Sequence, residues 1–244
     1  MRSSVISHSR GHEGWFAAIA ILIARVMTGA ATRLSNVRDH IARAAKSAKR
    51  DPNDVTLIAV TKQRSAAEIE PLIAAGVGDF AENRVAETVE KWPSLRAKHA
   101  GIKLHMIGRL QSNKAEDAIE QFDVLHSLDR PSLLTSLIAA VEKTGRSPGV
   151  YVQVNIGGEE QKGGVAIPDL PAFLDQVRAS PLRLEGLMAM PPLGQQAGPY
   201  FALLAELARR HGVDGLSMGM SADYPTAVML GATAVRIGSA LFDD

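Results

Sequence analysis

The chain has no cysteine, which excludes disulfides, thiolate nucleophiles and cysteine-ligated zinc and accords with a reducing compartment. It also lacks a charge imbalance: 27 Lys and Arg against 26 Asp and Glu leave a net charge of +1. A nucleic-acid surface clusters basic residues and unbalances the total, so none is expected. The basic cluster that does exist, Arg43, Lys46, Lys49 and Arg50, fits the solvated face of one helix. No His, Asp and Glu set has metal-ligand spacing, so no metal is expected.

Long apolar runs are missing as well. Trp15–Val26 is apolar but shorter than the roughly 20 residues of a membrane span, so no membrane association is expected. It has the length of a signal-peptide core, with Arg2 and Arg10 before it and the small-residue stretch Thr28–Ala31 after it, but Glu13 and Arg25 interrupt that pattern. Residues 1–26 therefore read as an N-terminal extension, upstream of the native start or disordered, with Met27 as the start and residues 27–244 as the folded unit. A weak signal sequence is the alternative.

What is present is core-forming material: 244 residues, 46% hydrophobic, enough for one large α/β domain or two small ones. The run Val55–Lys62, VTLIAVTK, is β-branched and apolar, follows Pro52, Asn53 and Asp54, and reads as a buried strand entered from a turn. Further strands are expected at Asp79–Ala81, Lys103–Ile107, Asp123–Leu128, Val150–Val154, Leu184–Met188, Gly215–Met218 and Ala234–Ile237.

Helical patterns separate most of these strands. Before the first, residues 31–49 carry Leu34, Val37, Ile41, Ala44, Ala45 and Ala48 at helical spacing. Ser65 and Glu68 form a capping box, Gly76 closes that helix, and Pro71 disturbs it. Eight strands joined by helical crossovers predict a single-domain (β/α)8 TIM-type barrel. The rival doubly wound sheet is disfavoured, because no Gly-x-Gly-x-x-Gly follows the first strand. No long helix follows the eighth strand, so the helix at 31–49 is expected to cover that gap.

In such barrels function gathers at the carboxyl ends of the strands, with phosphate commonly held after strands seven and eight. Here those ends carry Ser217 to Ser221 (SMGMS) and Arg236 to Ser239 (RIGS), whose small residues leave backbone N–H groups open to an anion. Lys62 stands at the first strand end. A lysine amine condenses with an aldehyde when burial or a nearby cation lowers its pKa. A phosphorylated carbonyl ligand is therefore expected: pyridoxal phosphate, or the substrate of a Schiff-base aldolase. Glu82 and Asn83 are either helix caps or ligands. His105 reads as a core or supporting histidine, and Lys162 as a loop lysine near the mouth.

These residues resemble the pyridoxal phosphate homeostasis proteins (YggS/PROSC type), whose barrel is related to the N-terminal domain of alanine racemase. The likeness runs from about Ala31 to Phe242 and rests on LIAVTK (57–62), FAEN (80–83), HMIGRLQSNK (105–114), VQVN (152–155), EGLM (185–188), LSMGMS (216–221) and VRIGS (235–239). It implies pyridoxal phosphate held as a Schiff base on Lys62, Ser217, Gly238 and Ser239 at its phosphate, Arg236 at its ring nitrogen, and Asn83 and Asn155 lining it. Ala81 and Arg84 depart from a pattern that usually has glycine and tyrosine there.

The resemblance implies a cytoplasmic carrier or buffer of the cofactor that has no established turnover, with apo-enzymes as its recipients and no catalytic residues of its own. Arginine can only donate, which would leave the ring nitrogen unprotonated and its electron sink weak. Alanine racemase draws a tyrosine from a C-terminal β domain, and this fold is expected to lack that domain. Tyr224, just past LSMGMS, is the substitute to examine. A pyridoxal phosphate-dependent racemase or lyase is the alternative function.

Overall fold

The VTLIAVTK run forms strand β1 (Thr56–Val60), entered from a 3-10 turn at Pro52–Asp54 that Asp51 caps by accepting the Asn53 N–H at 2.8 Å. The computed structural model describes residues 10–243, with side chains from residue 29 onward. Seven further strands follow: β2 (Asp79–Glu82), β3 (Lys103–Met106), β4 (Val124–Leu128), β5 (Gly149–Gln153), β6 (Arg183–Met188), β7 (Gly215–Met220) and β8 (Ala234–Ile237). All pair in parallel with their sequence neighbours, and β8 returns to β1 with Ile237 beside Ala59, so the sheet is a closed barrel. This is the (β/α)8 architecture expected from the strand count.

The helices are α1 (Arg10–Ser47), α2 (Ala66–Ala74), α3 (Val85–Lys98), α4 (Ala115–Gln121), α5 (Pro131–Thr144), α6 (Leu170–Arg178), α7 (Ala197–Arg210), α8 (Tyr224–Met229) and α9 (Ser239–Phe242). Glu68 takes both the N–H and the hydroxyl of Ser65, at 2.8 and 2.7 Å, so α2 starts at the capping box. Pro71 lies inside α2 and Pro93 inside α3. Neither ends its helix, although each removes one main-chain hydrogen bond. Helix α3 runs six residues beyond Trp92, because Trp92 and Leu95 are both buried and draw it on past Pro93.

Strand alternation divides the apolar residues into two cores. Residues such as Ala59, Phe80 and Leu104 face the helices and join the large ring-shaped core. Ile58, Ala81 and Ala234, with Val60 and Ile107, form a small plug inside the barrel. The interior also encloses polar groups: His105, His126, Ser217 and Arg236 are all buried.

Helix α1 presents Leu34, Val37, Ile41, Ala44 and Ala45 to the barrel, all buried, and it packs on α8, α9 and α2. Arg33 Nε donates to Leu241 O at 2.9 Å, and Arg50 donates to Val228 O and Ala232 O at 2.7 and 2.9 Å. The first helix therefore covers the seam beside the four-residue α9, as its amphipathic spacing predicts. Each large apolar side chain it buries contributes about 1.5–3 kcal/mol. The expected boundary at Met27 falls within this helix, and residues 1–9 lie outside the described residues. Among the described residues no helix is long and apolar enough to cross a membrane.

Candidate functional site

Lys62 lies two residues past the end of β1, in phase with the inward-facing Ile58 and Val60. Its side chain is exposed and makes no hydrogen bond or ion pair among the described residues. The turn that carries it is tightly held. Gln63 adopts the left-handed region at φ 60°, a conformation a non-glycine residue keeps only when its surroundings enforce it.

The enforcement comes from beneath. The hydroxyl of the buried Thr61 donates to Glu82 Oε1 at 2.6 Å, and Trp92 Nε1 donates to the same oxygen at 3.0 Å. Lys91 on α3 pairs with Glu82 at 2.7 Å and donates to the carbonyls of Thr61 and Arg64, each at 2.9 Å. Glu82 is thus neither a helix cap nor a mouth ligand; it locks the Lys62 turn. Lys91 carries no mark in the sequence that distinguishes it from any other helix lysine.

At the end of β8 the backbone N–H groups of Gly238 and Ala240 converge on Ser221 Oγ, at 3.2 and 3.3 Å. A Cβ on Gly238 would stand 3.6 Å from that of Val60, so this pair of amides adjoins the strand that leads to Lys62. Gly219, at φ 92°, permits the bend in between; a Cβ there would meet Ala227 Cβ at 2.5 Å.

The sequence pattern ends β7 at Met218, and the family resemblance implies Ser217 at the phosphate. The strand continues to Met220, which leaves Ser217 inside the barrel and brings Ser221 to the amides. Both serines belong to the SMGMS stretch read from the sequence as a strand end.

Ser217 is fully buried, and its Oγ accepts a hydrogen bond from Arg236 Nη1 at 2.6 Å. Arg236 Nη2 donates to Ala189 O at 3.2 Å, and Arg236 makes no ion pair among the described residues. Burial holds its pKa down to about 10. Two of its five N–H donors are so engaged. His126 Nδ1 lies 2.8 Å from Ser217 Oγ, and its ring stacks on Tyr151 at 4.4 Å between centroids. Burial first, then the neighbouring His105 and Arg236, push the His126 pKa well below the ordinary histidine value. Desolvation likewise pushes the Tyr151 phenol up to about 12.

The remaining expected residues lie at other strand ends and on the loops that follow them. Asn83, half-buried directly after β2, lines a groove of about 850 Å3 together with Met106 at the end of β3, Arg84 and Arg109. Asn155 uses both ends of its side-chain amide on Glu159, which clamps its own loop at 3.0 and 3.1 Å. Lys162 pairs with Glu159 at 2.6 Å and is not a free amine. Tyr224 is buried on α8 and hydrogen-bonds His40 at 2.8 Å, so it faces α1. No group of three His, Asp or Glu side chains among the described residues has the arrangement of a metal site.

Comparison with known proteins gives the relationship. Residues 32–244 match the family of the alanine racemase N-terminal domain. The pyridoxal phosphate homeostasis protein of Pseudomonas aeruginosa is 42% identical over 225 residues, covering 88% of this chain and 96% of that protein. Its Escherichia coli counterpart is 36% identical over 226 residues, covering 88% of this chain and 97% of that one.

This chain belongs to the pyridoxal phosphate homeostasis protein family. A solved structure of PipY from Synechococcus elongatus with pyridoxal phosphate bound superposes with a TM-score of 0.75 at 37% identity, covering 87% of this chain and 99% of that one. Alanine racemase of Clostridium difficile, at 15% identity and a TM-score of 0.67, shares the fold over 88% of this chain and 56% of its own.

Against the pattern of the pyridoxal phosphate homeostasis proteins, the two departures sit away from the β8 amides. Ala81 packs in the plug inside the barrel, and Arg84 is exposed beside Glu87.

Proposed function

We propose that this chain holds pyridoxal phosphate at the carboxyl end of its barrel, as a Schiff base with Lys62, and serves as a carrier or buffer that hands the cofactor to apo-enzymes in the cytoplasm. The observation that supports this most is the grouping on adjoining strand ends: an unpaired lysine after β1, two converging amides after β8, and a wholly buried arginine without a carboxylate partner.

Each part answers a part of the cofactor. The Gly238 and Ala240 N–H groups suit a phosphate that displaces or joins Ser221 Oγ, with Ser239 between them. The unengaged donors of Arg236 suit an acceptor such as a ring nitrogen. Lys62, free of other bonds, suits the aldehyde. The cofactor supplies an aldehyde that condenses with amines and an aromatic ring that can withdraw electrons when its nitrogen is protonated. Arg236 donates only, so it favours the unprotonated nitrogen and holding over turnover.

The test is spectroscopic. Purified protein incubated with pyridoxal phosphate should absorb in the visible range, and borohydride should fix one cofactor mass to the peptide containing Lys62. Lys62→Ala should abolish both signals. A protein that stays colourless and takes up no cofactor overturns the reading. Borohydride trapping of a sugar phosphate, but not of pyridoxal phosphate, would point to an aldolase instead.

A further inference from the structure

Beneath the mouth an unbroken run of polar side chains crosses the barrel, and the proposed holding of a cofactor leaves it without a task. Arg236 Nη1 meets Ser217 Oγ at 2.6 Å, Ser217 Oγ meets His126 Nδ1 at 2.8 Å, His126 Nε2 meets His105 Nδ1 at 3.0 Å, and His105 Nε2 meets Asp79 Oδ1 at 3.0 Å. Asp79 is the first residue of β2 and lines a cavity of about 190 Å3 at the amino ends of the strands, bordered also by Thr56, Lys103 and Arg183, which begin β1, β3 and β6. The run therefore joins the amino face of the barrel to the underside of the mouth.

Its protons have one consistent arrangement. Arg236 can only donate, so Ser217 Oγ accepts from it. The serine proton then goes to His126 Nδ1, which fixes the His126 proton on Nε2. That proton goes to His105 Nδ1, which leaves the His105 Nε2–H for the Asp79 carboxylate, an acceptor only. Reversing His126 would force a neutral His105 to donate from Nδ1 and turn a bare Nε2 toward the carboxylate, lone pair against lone pair. With both rings neutral, every link pairs one donor with one acceptor.

We propose that His126, His105 and Asp79 are positioning residues for Arg236, and that they form a proton relay which stores one proton, delivered at the mouth by a water or another acid, on His105. The step balances. Ser217 Oγ gains a proton from the mouth and gives its own to His126 Nδ1. His126 releases its Nε2 proton to His105 Nδ1, and the resulting imidazolium pairs with the Asp79 carboxylate. In this state His126 donates to Ser217 Oγ, Arg236 still donates to it, and the serine O–H points back toward the mouth. A proton stored below thus turns Ser217 from an internal donor into a donor for whatever occupies the mouth.

The charge settles on His105 because of what faces each ring. His126 is completely enclosed, stacked on Tyr151, with the Arg236 charge beyond one hydroxyl. His105 faces Asp79 from β2, His126 from β4 and Tyr151 from β5. Around the cavity, Asp123 is paired with Arg96 and Arg146, and Glu185 with Arg183. Lys103 is exposed. Asp79 is therefore the carboxylate directly bonded to the ring.

The relay is a property of the cofactor-free protein; only its use at the mouth rests on the proposed function. Long-range 1H–15N correlation of the imidazoles in uniformly 15N-labelled, cofactor-free protein tests it directly. At pH 7.5 both His105 and His126 should carry their proton on Nε2. On acidification His105 should gain its second proton in the same step in which the His126 proton moves from Nε2 to Nδ1. Asp79→Asn, which keeps an oxygen for the Nε2–H but removes the charge, should move that step at least about one pH unit lower.

His126 protonated on Nδ1 at pH 7.5, or His105 titrating without a change at His126, overturns the relay. The coupling to the mouth is read separately, from the pH profile of pyridoxal phosphate affinity. It should break at the same pH and move with Asp79→Asn; a profile that Asp79→Asn leaves in place overturns the coupling. A protein that binds no cofactor but shows the linked tautomer change would sink the proposed function and leave the relay standing.

Discussion

A guanidinium that is wholly enclosed with no carboxylate beside it is costly unless another group answers its charge. Arg236 meets that cost with two neutral acceptors, the Ser217 hydroxyl and the Ala189 carbonyl, and keeps donors in reserve. An electron-rich ligand at the mouth would complete its set. Ser239 provides the sharpest single-residue check, because it lies between the two converging amides. In Ser239→Asp a carboxylate would face the anion meant for those amides, and pyridoxal phosphate affinity should fall at least about tenfold by like-charge repulsion, as measured by fluorescence titration. At this scale the strand pattern of the sequence places Lys62, Arg236 and Gly238 at or beside the ends of β1 and β8, where the structure has them. Which of Ser217 and Ser221 is enclosed and which stands at the strand end depends on where β7 stops pairing, which local sequence does not show.

Among the elements, α3 governs the Lys62 turn from outside the barrel. Lys91 is nearly enclosed, and its three acceptors are Glu82 and two carbonyls of the turn. Lys91→Met would strand a fully buried carboxylate and two main-chain oxygens, a loss of about 3–5 kcal/mol in urea unfolding. Adding Glu82→Gln should recover a large part of that loss, because the uncompensated charge is then gone. An unchanged unfolding free energy in Lys91→Met would show that the ion pair contributes nothing. The capping box of α2 was legible in the sequence because its partners are three residues apart. The Lys91–Glu82 pair was not, because it forms only when α3 folds back over β2.

Over the whole molecule, the enclosed histidine links stability to pH. In the folded protein the His126 pKa lies well below the ordinary value, whereas the unfolded imidazole titrates near 6.5. Below about 6.5 the unfolded chain binds a proton that folded His126 does not, so stability is full above that pH and declines as pH falls toward the folded value, by about 1.4 kcal/mol per pH unit. Urea unfolding at a series of pH values from 7.5 downward should show that decline, and His126→Asn should remove one proton's worth of slope. An identical slope in the variant would show that His126 is not the linked group.

The order of apolar runs, their spacing and the amphipathic face of α1 determined the closed barrel, because each strand and helix is set by neighbours close in the chain and parallel strands admit few connections. Barrel closure decided the rest. It set Ala59 beside Ile237, carried the β8 amides to the strand that leads to Lys62, and lined up Asp79, His105, His126, Ser217 and Arg236, drawn from five strands, into one hydrogen-bonded run. Such contacts between residues far apart in the chain follow from strand register and bulges, which local sequence patterns do not encode.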